Sequence, residues 1–235
     1  MSQTVAAQAE WWGEVDYTRA WDLQKLYVEE RIAERRLDTF VFCVHHPVIT
    51  LGRASQRDPA TSGVLGGVTP VPVLKIERGG QATYHGPGQL VVYPIVKLGR
   101  AASHPSRTGV VSLIRAMEAW LCDALGELQV PAQSVDGKTG VWVEGGSRKI
   151  ASIGIAARHW VSYHGLAINL DVGPEPWQWI SPCGMTADVM TDLKAVSGRR
   201  VLEREFAELL LKKATFHFGS DLGSLNDFDH NALQK

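Results

Sequence analysis

The sequence predicts an α+β domain, in which helices and β-strands follow each other without regular alternation. Residues 39–44 (Thr-Phe-Val-Phe-Cys-Val) are apolar on both faces, which is typical of a central strand covered on two sides. Two long segments, beginning near Asp16 and Ser106, carry apolar residues at helical spacing. Further β-rich runs lie on either side of Gly145-Gly146, a pair that indicates a hairpin.

Length and composition place the chain among ordinary globular proteins. It has 235 residues, of which 45% are hydrophobic and 21% charged, and its net charge is -1. This balance does not favour nucleic acid or an anionic membrane surface as a partner. Without a repeat or an evident linker, we expect one domain over residues 1–235, with poorly ordered tails at about 1–10 and 219–235.

The cysteines and the N-terminal sequence bear on the compartment. Three widely spaced cysteines, without a CxxC pair, argue against a disulfide framework or a structural zinc site. No segment reads as a signal peptide, and no apolar run approaches the roughly 20 residues of a membrane-spanning helix. We therefore expect a cytoplasmic protein. The pair His45-His46 lacks a third metal ligand at suitable spacing, so a polar cluster at a strand end is the favoured interpretation.

The first half of the chain is expected to begin with a helix that Asp16 caps and Asp38 closes. Apolar positions recur along it at Trp21, Leu23, Leu26, Tyr27, Ile32 and Ala33. Strands follow at residues 39–44 and 48–51, then an irregular loop at 54–70. Two more β-forming runs are predicted at residues 71–76 and 90–96, the second ending near Pro94.

The second half begins with a long helix that Ser106 is expected to cap. Its apolar stripe consists of Val110, Leu113, Ile114, Met117, Trp120, Leu121 and Leu125. Three strands and a last helix are predicted at residues 141–143, 149–155, 160–172 and 202–216. Asn169 and Asp171 alternate with apolar residues, which predicts a half-exposed strand there. A proline-rich loop before the last helix carries Trp177, Trp179 and Cys183.

Residues 78–90 (Arg-Gly-Gly-Gln-Ala-Thr-Tyr-His-Gly-Pro-Gly-Gln-Leu) hold more glycine than a hairpin needs. Glycine is selected where φ is positive or where a backbone approaches another group closely. The polar side chains among these glycines indicate a ligand that lies against the main chain. A long flexible surface loop is the alternative, and Tyr84, His85 and Leu90 would be unusual in it.

Two residues could carry chemistry. Cys183 lies in a loop bounded by proline and glycine, whereas Cys43 and Cys122 fall on a strand and a helix and are interpreted as core residues. A nucleophilic cysteine requires a nearby base or positive charge, and an isolated loop cysteine is more often inert. Lys149 opens a strand on an apolar face; alone it would be expected to extend to solvent, but beside a thiol it could act as the activating base.

Small residues in the strands offer space for a linear chain. Gly154 and the run Gly165-Leu166-Ala167 leave gaps that an aliphatic group could occupy, and backbone N–H groups there could serve as oxyanion donors. A bulge or a close strand crossing would also select glycine, and the residues do not decide between these interpretations.

Four motifs together resemble the bacterial octanoyltransferase family, the lipoyl/octanoyl transferases of lipoate biosynthesis. They are residues 78–90, 149–154 (Lys-Ile-Ala-Ser-Ile-Gly), 164–169 (His-Gly-Leu-Ala-Ile-Asn) and 181–185 (Ser-Pro-Cys-Gly-Met). The resemblance extends from about residue 17 to about residue 216. It implies a mixed β-sheet flanked by helices, like the catalytic domains of biotin and lipoate protein ligases. Thr139, where the family usually has proline, is a minor departure.

The resemblance also implies a mechanism. Cys183 would accept an octanoyl group from octanoyl-acyl carrier protein as a thioester and pass it to a lysine of a lipoyl domain. Lys149 would be its partner in a cysteine-lysine dyad, lowering the cysteine pKa and shuttling protons. The implied substrate-binding residues are Arg78, Gly79, Gly80, Gln81, Ala82, Thr83, Tyr84, His85, Ser152, Ile153, Gly154, Gly165, Leu166 and Ala167.

Partners and cofactors follow from the same resemblance. The acceptors would be lipoyl domains of 2-oxo-acid dehydrogenase complexes and the glycine cleavage H protein, and a monomer is expected. Acyl transfer from a thioester to an amine is downhill, so no cofactor or metal is expected, in keeping with a sequence without a P-loop. The alternatives are an ATP-dependent lipoate ligase of the same fold and a non-catalytic module that binds a lipoyl domain or an acyl chain.

Overall fold

A mixed β-sheet with helices on both faces forms the centre of the computed structural model, which describes residues 5–57, 64, 69–99, 104–182 and 185–229. In chain order its strands and α-helices are β1 (Val5–Val15), α1 (Tyr17–Ile32), β2 (Asp38–His45), β3 (Val48–Leu51), α2 (Arg53–Arg57), β4 (Val73–Lys75), β5 (Ala82–His85), β6 (Gln89–Ile95), α3 (Val110–Glu127), β7 (Ala132–Val135), β8 (Lys138–Val143), β9 (Arg148–Arg158), β10 (Val161–Asn169), α4 (Leu193–Ser197), α5 (Glu203–Phe218), β11 (Ser220–Asp221) and β12 (Leu225–Asp227).

The described strands form two sheets. The larger follows the order β11-β1-β2-β6-β10-β9-β8-β7, with β12 also alongside β1. Its β1 is parallel to β2, β11 and β12, whereas the pairs from β2 onwards to β7 are antiparallel. The smaller sheet has the order β4-β3-β5. The prediction of a mixed sheet flanked by helices is therefore confirmed.

Alternate residues of the large sheet face two separate hydrophobic cores. Leu166 and Ile168 of β10 belong to the larger core, which α3 and α5 cover with Trp120, Phe206 and other buried side chains. Ala167, between them, belongs to a second core with residues of α1.

Sequence periodicity located the principal elements correctly, because burial of one face of a strand or helix determines the spacing of apolar residues.

The two predicted helix caps had different outcomes. Asp16 does cap α1, since its Oδ1 accepts hydrogen bonds from the backbone N–H groups of Thr18 and Arg19. Asp38 does not close that helix, which ends at Ile32, and instead begins β2. Ser106 does not cap the long helix: it lies in a short 3-10 turn, and α3 starts after Gly109.

Both predicted tails are wrong over the residues described. Residues 5–10 belong to β1, and residues 220–221 and 225–227 form β11 and β12, which pair with it. The pattern of residues within one segment does not predict these strands, because their hydrogen-bond partners lie more than two hundred residues away in the chain. Residues 1–4 and 230–235 lie outside the described residues.

Several strand boundaries also differ from those predicted. Pro94 lies inside β6, and β10 begins after Trp160 and ends at Asn169. Asn169 is fully buried where a half-exposed strand was expected, because its amide has partners within the protein. Of the predicted loop at 54–70, residues 54–57 belong to helix α2, and residues 58–63 and 65–68 lie outside the described residues.

Candidate active site

The segment before β5 is fixed by the side chain of Arg78. Its guanidinium donates to the backbone oxygen of Thr50 at 2.7 Å, to the Thr50 hydroxyl at 2.9 Å and to the oxygen of Gly79 at 2.9 Å. The backbone of Ala54 donates to the oxygen of Gly80 at 3.1 Å. A Cβ on Gly52 would lie 2.4 Å from that same oxygen, so the two backbones require glycine to approach this closely.

The same segment runs along strand β9. The N–H of Gly79 donates to the oxygen of Ile155 at 3.2 Å. The β8–β9 ladder covers β9 from Arg148 to Ala151, so Gly79 pairs with β9 beyond that ladder. A Cβ on Gly154 would lie 2.8 Å from the oxygen of Gly79, which explains the small residue at this contact.

A narrow cavity of about 50 Å³ lies between the large sheet and residues 78–85. Its lining residues are Tyr17, Arg78, Gly80, Gln81, Ala82, Thr83, His85, Val91, Tyr93, Ser152, Ile153, Gly154, His164, Gly165, Leu166 and Ala167. Apolar surface predominates in it. A narrow apolar cavity with few polar groups is suited to a linear hydrocarbon chain.

Four small residues on two neighbouring strands leave this space open. In the β9–β10 ladder, Ser152 lies opposite Ala167 and Gly154 lies opposite Gly165. They occupy alternate positions of their strands and therefore share one face of the sheet. A side chain at either glycine would collide with neighbouring backbone, because its Cβ would meet the oxygen of Val92 at Gly165 or that of Gly79 at Gly154.

One part of the cavity lining is polar and aromatic. Tyr17 stacks on His85, with ring centroids 5.5 Å apart, and His45 contacts both rings. The Tyr93 hydroxyl lies 2.6 Å from Nε2 of His45. Burial lowers the pKa of His45 to about 4, and burial with the nearby Arg78 charge lowers that of His164 to about 3. Both imidazoles are therefore neutral at pH 7.

The tautomer of His85 follows from its partner. The amide nitrogen of Gln89 donates to the oxygens of Tyr84 and Asn169, at 3.1 and 2.9 Å. The Gln89 amide oxygen, 2.7 Å from Nδ1 of His85, must then accept a proton from the imidazole. Nε2 is left as the basic nitrogen, and burial, together with the nearby Arg78 charge, lowers the pKa of His85.

Hydrogen bonds continue from this histidine to the strand that carries Lys149. Asn169 accepts from Gln89 and donates to the backbone oxygen of Thr191 at 2.9 Å. The N–H of Thr191 then donates to the backbone oxygen of Lys149 at 3.0 Å. Buried networks with paired donors and acceptors hold their members in one arrangement. This one joins three of the sequence motifs.

The side chain of Lys149 is buried and lies in a second, wider cavity, which we call the chamber. Only 3% of the residue is exposed, so Lys149 does not extend to solvent as an isolated lysine on this strand would be expected to do. Its Nζ lies 5.4 Å from the ring centroid of Trp142. The chamber is lined by Gly79, Gly80, Gln81, Val110, Ile114, Gly137, Lys138, Thr139, Trp142, Lys149, Ile153, Gly154, Ile155 and Met185.

The two cavities share the wall residues Gly80, Gln81, Ile153 and Gly154. Cys183 lies outside the described residues. The segments on either side of it are described: the N–H of Met185 donates to the oxygen of Pro182 at 3.0 Å, and Ser181 Oγ donates to the oxygen of Met185 at 2.9 Å. Met185 reaches the chamber that contains Lys149.

Most of the residues singled out in the sequence lie together in these cavities, and Tyr84 does not. It alternates with Thr83 and His85 along β5, so its ring faces the other way and packs against Trp177 and Trp179. Its expected contact with substrate is not supported by this position.

Several residues that support the site were not predicted from the sequence. Those that support the site from outside the motifs are Tyr17, Gln24, Thr50, Tyr93 and Glu118. Buried polar side chains on otherwise apolar faces, such as Gln24 on α1, were the available sequence indication.

Two features are absent from the part of the chain that the structure describes. No group of three or more His, Cys, Asp or Glu side chains there is arranged to hold a metal ion. None of the helices described is long and apolar enough to cross a membrane.

Comparison with protein families and curated sequences gave consistent matches. Residues 16–215 match the lipoyl protein ligase A/B catalytic domain. An octanoyltransferase from Alkalilimnicola ehrlichii is 38% identical over 208 residues, covering 87% of this chain and 89% of that protein. One from Azoarcus sp. is 40% identical over 172 residues, covering 73% and 70%.

Solved structures of the same fold are more distant in sequence. Lipoate-protein ligase A bound with ATP aligns with a TM-score of 0.67 at 15% identity, covering 95% of this chain and 90% of that one. A bi-partite lipoate protein ligase from Thermoplasma acidophilum gives 0.66 at 13% identity, covering 96% and 88%. At these identities the likeness concerns the fold alone.

Proposed function

The chain belongs to the octanoyltransferases of the lipoyl protein ligase A/B family, and from this we propose that it transfers an octanoyl group to a lysine of a lipoyl domain. The observation that carries the proposal is a pair of adjacent cavities that share four lining residues. One is narrow and apolar, and the other contains a buried lysine. An acyl chain in the first would place its carbonyl group in the second.

In the first half-reaction, Lys149 accepts the Cys183 proton, and the resulting ammonium stabilises the thiolate. The thiolate attacks the carbonyl carbon of octanoyl-acyl carrier protein. The bond from that carbon to the carrier sulfur breaks, and the leaving thiolate takes the proton from Lys149. The products are a Cys183 octanoyl thioester and the free carrier thiol.

In the second half-reaction, the neutral amine of the acceptor lysine attacks the Cys183 thioester. An amide bond forms, Cys183 leaves as a thiolate, and Lys149 takes the proton released by the attacking nitrogen. One thioester replaces another in the first step, and amide formation from a thioester is downhill. The two half-reactions therefore need no ATP.

The chamber supports this assignment of roles through its geometry. Burial of Lys149 excludes water from its amine, which strengthens its interaction with a nearby thiolate. Gly80, Gln81, Ile153 and Gly154 line both cavities, so they are placed to contact the chain close to its carbonyl end. His85 lines the narrow cavity, and its neutral state suits binding and positioning.

Further parts of the proposal concern partners and setting. The acceptors are lipoyl domains of 2-oxo-acid dehydrogenase complexes and the glycine cleavage H protein, and the enzyme acts as a monomer in the cytoplasm. Residues 1–235 form one catalytic domain. Family membership supports these points, and size-exclusion chromatography with light scattering checks the monomer.

The decisive experiment is intact-mass spectrometry after incubation with octanoyl-acyl carrier protein. We expect one octanoyl adduct, which is absent in Cys183→Ala and is discharged when a lipoyl domain is added. An adduct that persists in Cys183→Ala would overturn the mechanism. Modification of the lipoyl domain that requires ATP and the free acid would identify a ligase instead.

A further inference from the structure

A buried carboxylate lies on the helix that borders the chamber. Val110 and Ile114 of α3 line the chamber, and Glu118 lies one helical turn further along the same side. Only 1% of Glu118 is exposed. Burying a carboxylate costs free energy unless hydrogen bonds and charges compensate it, so its partners indicate what it holds in place.

Each oxygen of this carboxylate has a partner. Oε2 accepts from the Arg115 guanidinium at 2.6 Å, and the Arg115 side chain is half exposed. Oε1 accepts from the backbone N–H of Gly140 at 2.9 Å, and this second bond is buried. The surface arginine balances the charge, whereas the inward oxygen holds the backbone of a neighbouring strand.

Gly140 lies in an irregular stretch of β8. The register of β8 shifts against β7 between Lys138 and Trp142, and against β9 between Val141 and Trp142. Its φ of +119° is a conformation that residues with side chains rarely adopt. A buried backbone N–H requires a hydrogen-bond acceptor. The Glu118 carboxylate provides one for the N–H of Gly140.

The space above Gly140 is occupied by the Lys149 side chain. A Cβ on Gly140 would lie 2.7 Å from Cε and 3.3 Å from Nζ of Lys149, and 2.4 Å from the oxygen of Ala151. The ring of Trp142, two residues along β8, lies on the same lysine. The backbone of β8 therefore forms one wall of the space that the Lys149 side chain occupies.

We propose that Glu118 is a positioning residue, which fixes the Gly140 backbone through its Oε1 atom and thereby holds the Lys149 amine at its place in the chamber. This inference rests on the proposed function, because it assigns a purpose to the Lys149 position. It adds a residue that lies outside the four sequence motifs. A carboxylate that only stabilised the fold would have no influence on the Cys183 thiol.

The test measures how fast Cys183 is alkylated by iodoacetamide as a function of pH, by mass spectrometry of the peptide that contains Cys183. In Glu118→Ala we expect the midpoint of the profile to rise by about one pH unit, which corresponds to about tenfold slower alkylation at pH 7. Glu118→Gln retains an oxygen acceptor for the Gly140 N–H, and we expect it to recover most of the wild-type rate.

Two further variants keep the test valid if Glu118→Ala fails to fold. Glu118→Asp keeps the charge and shortens the side chain by one methylene, so we expect an intermediate shift. Leu121→Ala, on the same helix and fully buried, is the control for general destabilisation, and its profile should match the wild type. A shift in Leu121→Ala equal to that in Glu118→Asp would overturn the inference.

The outcomes also separate this inference from the proposed function. If Lys149→Ala shifts the profile and the folded Glu118 variants do not, the positioning role is wrong and the function stands. If Lys149→Ala itself alkylates like the wild type, the dyad is wrong and the positioning role fails with it. If Glu118→Gln behaves like Glu118→Ala, the negative charge and not the hydrogen bond is responsible, which also overturns the inference.

Discussion

Pro94 of β6 falls opposite His164 of β10 when the β6–β10 register is followed from Val92 and Leu166. Proline has no N–H to donate, so the ladder cannot close at this pair. His164 has a positive φ of 56°, and both of its ring nitrogens are buried without a hydrogen-bond partner in the structure. The interruption brings the His164 ring into the lining of the narrow cavity.

The first prediction concerns the side chain that accepts a hydrogen bond from the His164 N–H. The Oε1 atom of Gln24 on α1 accepts from the N–H of His164 at 2.8 Å. Gln24→Leu should lower the free energy of unfolding by about 1–3 kcal/mol, because it leaves that buried N–H unsatisfied. Urea unfolding measures this. Lys25→Ala, which removes an exposed ion pair and a contact with the Trp21 ring, should change it by less than about 1 kcal/mol.

The second prediction is a loss of stability in acid that arises from the buried histidines. The pKa values of His45, His85 and His164 are lowered in the folded protein, to about 4 and about 3 for the first and third. Between these values and about 6.5, the unfolded chain binds protons that the folded chain does not. Their stabilising contribution is therefore complete above about pH 6.5 and is lost as the pH falls.

Each neutral imidazole should contribute a slope of about 1.4 kcal/mol per pH unit in that range. Urea unfolding at pH 7, 6 and 5 measures the summed slope. Asparagine tolerates a positive φ, so His164→Asn should fold. It should reduce the slope by about 1.4 kcal/mol per pH unit, which is the contribution of one proton. His46→Asn changes an exposed neighbour and should leave it unaltered. An unchanged slope in His164→Asn would show that this ring is protonated in the folded state.

The third prediction tests the close contact between residues 78–81 and β9. Gly154→Ala places a methyl group 2.8 Å from the oxygen of Gly79 and 3.2 Å from Cδ of Arg78. We expect octanoyl transfer to Cys183 to slow at least about tenfold, because displacing a wall of the narrow cavity misplaces the acyl chain. Gly126→Ala on α3, where no atom lies within 4 Å of the added methyl, should leave the rate unchanged. Intact-mass spectrometry of reactions quenched at successive times gives both rates.

The fourth prediction concerns a buried ion-pair cluster at the start of β2. Asp38 accepts from Arg31 at 2.6 Å and from the guanidinium of Arg107, which is itself buried. Asp38→Asn should cost about 3–5 kcal/mol of unfolding free energy, because it leaves buried positive charge uncompensated. Asp22→Asn, which breaks an exposed pair, should have little effect. A small loss at Asp38 would mean that water or another anion reaches Arg107.

The parts of the fold that could be predicted from the sequence are those determined by local burial. Residues 39–44 are apolar on both faces because both cores cover β2, and Asp16 caps α1 through its own side chain. The site residues were identified by resemblance to a family motif. Of these, Ser152–Gly154 and Gly165–Ala167 line one cavity, because β9 and β10 pair in register.

The parts that could not be predicted depend on contacts between distant segments. β1 becomes a strand only when β2, β11 and β12 lie alongside it. Glu118 looks like an outward-facing helix residue until α3 is packed against β8 and its carboxylate meets Gly140. The exposure of Lys149 could not be judged from its strand alone, because Trp142 and Gly140 of another strand cover it.

The hydrogen bond from Gly79 to Ile155 also has a consequence for how copies of the chain behave towards each other. A strand whose N–H and C=O groups are open at the border of a sheet can recruit another chain and begin aggregation. Residues 78–81 cover β9 where β8 no longer does, so the segment that lines the cavities also shields this border. Substitutions there are therefore expected to reduce solubility together with acyl transfer.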